Sequence, residues 1–75
     1  MNNAKRIKAV KAAITTHAQG KGWRRGDVAE MDNGEALTDI LADLRHFADK
    51  CNLDFAQCDR MAYQHYLVEL KEVNP

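Results

Sequence analysis

The stretch Leu37-Thr38-Asp39-Ile40-Leu41-Ala42-Asp43-Leu44-Arg45-His46-Phe47-Ala48 decides the fold. Apolar residues return at spacings of three and four, at Leu37, Ile40, Leu41, Leu44, Phe47, Ala48 and then Cys51, while Glu35, Asp39, Asp43 and His46 fall on the other side. That polarity at a period near 3.6 is the pattern of an amphipathic helix. It predicts a helix over about 35–51, capped by Asp32 or Asn33, with Glu35 and Asp39 near the positive end of its dipole.

Toward the C-terminus, Cys51-Asn52-Leu53 interrupts the pattern, and Asp54-Phe55-Ala56-Gln57 has the form of a capping box with Leu53 as its staple. A further helix is expected over about 54–72. Its apolar positions, including Phe55, Met61, Tyr63, Tyr66, Leu67, Val68 and Leu70, cover more than one face, so burial on two sides is expected. Toward the N-terminus, Ile7, Val10 and Ile14 predict an amphipathic helix over about 3–19, with Gly20 placed to end it. Residues 20–34 lack periodicity and read as a loop pinned by Trp23. The short turn between the last two helices implies an antiparallel hairpin over 35–51 and 54–72, against which the first helix packs. The fold class is therefore all-α, a single small domain over 1–75. The excess apolar surface of the third helix predicts a homodimer.

The net charge of zero conceals a split. Residues 1–26 hold seven cations and no acid; residues 27–75 hold all 11 acids against four cations. Such a chain either seeks an anion or neutralises itself. No signal-peptide run and no apolar stretch of roughly eighteen residues is present, so a cytoplasmic protein without a membrane span is expected. Two cysteines are too few for a secreted disulfide scaffold.

The candidate sites follow from charge and aromatic content. Glu35, Asp39, Asp43 and Asp49, with Tyr63 and Tyr66 as aromatic anchors, are the protein-interaction candidates; the acidic stripe is expected to face solvent. Lys5, Lys8, Lys11, Arg24 and Arg25 are the nucleic-acid candidates, but on a helical wheel the lysines flank the apolar stripe on both sides instead of forming one ridge. A helix-turn-helix over 44–63 is disfavoured because its reading helix would open with Asp54 and Asp59, which repel phosphate. His46, Cys51, Cys58 and His65 include the ligand types of zinc without a paired Cys-x-x-Cys, so core thiols and surface or interfacial histidines are the expectation. The paired Glu-x-x-Glu and Glu-x-x-Asp helices with which all-α nucleoside triphosphate pyrophosphohydrolases hold magnesium are missing in that order. No catalytic grouping, metal or cofactor is assigned.

The segment Leu37 to Asp49, followed by Leu53-Asp54-Phe55 and Ala62-Tyr63-Gln64-His65-Tyr66, resembles a family of small uncharacterised helical proteins carried by bacterial plasmids, prophages and other integrated elements. The resemblance covers residues 35–67 and implies a small accessory factor that binds a host or element protein. A non-enzymatic interaction or regulatory module with a protein partner is expected, with a small nucleic-acid-binding regulator as the alternative.

Overall fold

The computed structural model describes residues 3–23 and 32–72. These form three helices and no strand: α1 is Asn3–Gly20, α2 is Asn33–Lys50 and α3 is Phe55–Glu69. The all-α expectation holds, with helix ends within a few residues of those read from periodicity. Most of the expected loop over 20–34, including Arg24 and Arg25, lies outside the described residues. No described helix is long and apolar enough to cross a membrane.

The helix ends follow from local chemistry. At the start of α2 the Asp32 carboxylate accepts from the Glu35 N–H at 3.2 Å, and at the start of α3 the Asp54 carboxylate accepts from the Gln57 N–H at 3.1 Å. Each satisfies one amide that has no partner within its helix. Asn52 takes φ +56°, the Leu53 N–H bonds the Ala48 carbonyl at 2.8 Å, and the Asn52 N–H bonds the Asp49 carbonyl at 3.2 Å. This pair of bonds is a Schellman motif, and asparagine is among the few side chains that tolerate its left-handed position.

The same motif ends α1. The Trp23 N–H bonds the Ala18 carbonyl at 3.1 Å and the Gly22 N–H bonds the Gln19 carbonyl at 3.0 Å. The residue with positive φ is therefore Gly22, at +94°, and Gly20 is the last helical residue instead of the stop. A Cβ built on Gly22 meets nothing within 4 Å, so a Gly22→Ala change makes no clash and its cost is the strain of a side chain at positive φ. It is expected to destabilise the fold by about 1–2 kcal/mol, measured by chemical denaturation.

The packing is more open than the periodicity predicts. Among the described residues only Ala18, Ala36 and Ala48 are buried, and the molecule is flat, with extents of 37 × 35 × 17 Å. The leucine edge expected to form a hairpin core, Leu37, Leu41 and Leu44, stays exposed, and α3 buries no residue. Where the turn joins α2 to α3, the Arg45 guanidinium lies 4.5 Å from the centroid of the Phe55 ring. A cation over an aromatic face adds a contact between these two ends.

Candidate interaction surface

Two charged clusters position α1. Near its N-terminus, Arg6 Nη1 and Nη2 lie 2.9 and 3.4 Å from the two Glu72 carboxylate oxygens, and Arg6 Nε is 3.5 Å from Glu69 Oε1. Asn3 supports the guanidinium by accepting from Nη1 at 2.8 Å and donating to the Glu69 carbonyl at 3.2 Å. The bidentate Arg6–Glu72 pair raises the guanidinium above its usual range and holds the Glu72 carboxyl below its own. Dipoles favour the same meeting. The first turn of α1 carries no acid, and the last turn of α3 carries no base, so each helix end has the wrong charge nearby. Bringing the positive end of α1 and Arg6 to the negative end of α3 and its glutamates corrects both.

At the other end of α1, Lys21 Nζ sits 2.6 Å from Asp39 Oδ1 and 2.8 Å from Asp43 Oδ2. His17 Nε2 is 2.7 Å from the same Asp43 oxygen. Bonding to Asp39 and then to Asp43 raises the Lys21 ammonium, and bonding to Lys21 and then to His17 holds the Asp43 carboxyl below its usual range. Asp39 and Asp43 are one helical turn apart, as are His17 and Lys21, so two short rungs face each other across the helix pair. Donor atoms of His17, Asp39 and Asp43 all lie within 4.8 Å of one another, a spacing that suits a divalent cation. The Lys21 ammonium occupies that position and supplies the positive charge.

These clusters change the reading of the acidic stripe. Asp39 and Asp43 are half-buried against α1 instead of facing solvent. Glu35 and Asp49 are exposed at the two ends of α2, so the four acids do not form one free face. Lys5, Lys8 and Lys11 are exposed on α1; Arg6 and Lys21, from the same basic segment, meet carboxylates. His17 is half-buried near the end of α1.

Because α1 docks on the acidic flank of α2, the leucine edge is left uncovered. Large apolar side chains on each of the three helices, among them Ile7, Leu41, Leu67 and Val68, are between 36 and 63 % exposed. On α3, Tyr63 and Tyr66 present rings 6.2 Å apart and tilted by 30°, an arrangement suited to anchoring a contact. Beside them Ile7, Tyr66 and Leu70 line a shallow groove edged by Arg6 and Glu69, which makes the apolar surface continuous from α3 onto α1. Sequence reasoning marked the tyrosines but took the leucines for core. Comparison with known proteins finds no matching family, no matching curated relative and no matching solved structure.

Proposed function

We propose that the chain is a non-enzymatic interaction or regulatory module that works by covering its apolar faces with another protein surface. One observation carries this reading: Leu37, Leu41, Leu44, Phe47, Tyr63 and Tyr66 are all at least 43 % exposed. A monomer rarely leaves so large an apolar surface open unless it binds something there. The polar clusters support the reading from the other side, since the carboxylates nearest a histidine are engaged by Lys21 and His17. The resemblance over residues 35–67 adds a setting, an accessory factor of a bacterial mobile element acting in the cytoplasm. The contact surface in this proposal is the apolar face, with Tyr63 and Tyr66 in it and the acids Glu35 and Asp49 at its margins.

Hydroxyl-radical footprinting of the chain in an extract of its host, at native abundance, tests this directly. Tyr63, Tyr66 and the α2 leucines should be protected several-fold relative to a urea-unfolded control, whereas Lys8 and Lys11 stay reactive. Reactivity of the leucines and tyrosines equal to that of the unfolded chain rejects the proposal.

A further inference from the structure

We propose that the surface is a homodimer interface, in which a second copy of this chain covers the Leu37–Leu41–Leu44 edge of α2 and the Tyr63–Tyr66–Leu70 face of α3; this rests on the interaction-module reading and names its partner. The first argument is area. A folded monomer of 8.5 kDa exposes about 4,700 Å² by the usual scaling of surface with mass, whereas this chain exposes 6401 Å². The two exposed faces contribute to that roughly 1,700 Å² excess, and a second copy set across both covers more of it than a small peptide or a glancing contact does.

Charge selects the same partner. A two-fold interface sets each patch against its own copy, so any net charge on it repels itself. The leucine edge carries none, and the ion pairs of Arg6 with Glu69 and Glu72 and of Lys21 with Asp39 and Asp43 are closed within the chain. The whole molecule is formally neutral. Two copies therefore approach without like-charge cost at this edge. Spacing is also suitable: Leu37, Leu41, Leu44, Ala48 and Cys51 repeat at four, three, four and three, the seam along which helices interlock. The exposed leucines occupy its first three positions.

Sedimentation equilibrium on the purified full chain, from low to high micromolar, should give twice 8.5 kDa. Because folding and pairing would be coupled, the thermal midpoint should climb by about 5 °C for each tenfold rise in concentration. Leu41→Lys, which sets an ammonium in the seam, should yield monomer mass and abolish that concentration dependence. If the variant fails to fold, the wild-type series still decides. A single-chain mass with a midpoint independent of concentration overturns the dimer, as does a trimer or larger closed ring. A monomer whose leucines and tyrosines are nevertheless protected in host extract overturns only the identity of the partner; a monomer with unprotected faces overturns the interaction reading as well.

Discussion

Truncating Leu41 or Leu44 to alanine is expected to lower the free energy of unfolding by about 2–4 kcal/mol at each site, the cost of a buried leucine and not of a surface one. In the isolated chain Leu41 is 43 % and Leu44 44 % exposed, which by itself places both among positions where substitution changes stability by about 0.5 kcal/mol or less. The two expectations differ several-fold because the deleted methyl groups face either water or a partner. Urea denaturation at a concentration where the wild type is fully associated separates them. Gln64→Ala, at an exposed polar position on α3, serves as the reference and should change little. Losses at Leu41 and Leu44 no larger than that of Gln64→Ala would show that nothing covers this edge.

The three helices were legible because their determinants are local. The spacing of apolar residues through Leu37–Ala48, the Asp32 and Asp54 caps and the break at Asn52 each act within a few residues, and each appears where the chain predicts it. The stop of α1 was misplaced by two residues because Gly20 and Gly22 are both permissive, and only the bonds from Gly22 and Trp23 reveal which adopts the left-handed conformation. How the helices meet was not legible. Periodicity says that Leu37, Leu41 and Leu44 share a face, but not that α1 would choose the adjacent acidic flank, since that choice depends on charges far apart in sequence.

The candidate site shows the same division. The opposed charges of the two parts of the chain implied neutralisation, but not that Arg6 would reach Glu72 or Lys21 the Asp39–Asp43 rung. A helical wheel orders charges about one axis and contains no information on a second. Asp39 and Asp43 therefore read as a solvated stripe when taken alone, and as the anchor for α1 once the helices are placed. Lys21 was the least visible of these residues, because it follows the periodic part of α1 and is brought back over α2 only by the final turn.

Reversing that residue's charge is the sharpest test of the anchoring. Lys21→Glu is expected to release the C-terminal half of α1 from α2, with a loss of thermal stability well above that of Lys21→Ala and far above that of Lys8→Glu. The alanine variant removes the ammonium shared by Asp39 and Asp43, whereas glutamate adds a third carboxylate beside two that already lie one turn apart. Adding Asp43→Lys to Lys21→Glu should recover much of the loss by re-forming an opposite-charge pair, which a purely structural defect at residue 21 would not allow. Acid should reproduce the effect in the wild type. Asp43 and Glu72 have depressed folded pKa values, so their contribution is present above the ordinary carboxylate pKa and disappears as pH falls through the folded values, below about pH 4. Lys21 and Arg6 have raised values, so their contribution is present below their ordinary pKa and is lost only in strong alkali, as pH rises through the folded values. Amide spectra recorded from pH 7 down to pH 3 should show α1 resonances shifting first, with the α2–α3 turn at Cys51–Asp54 responding later. Movement of the turn before α1 would show that these ion pairs do not hold the helices together.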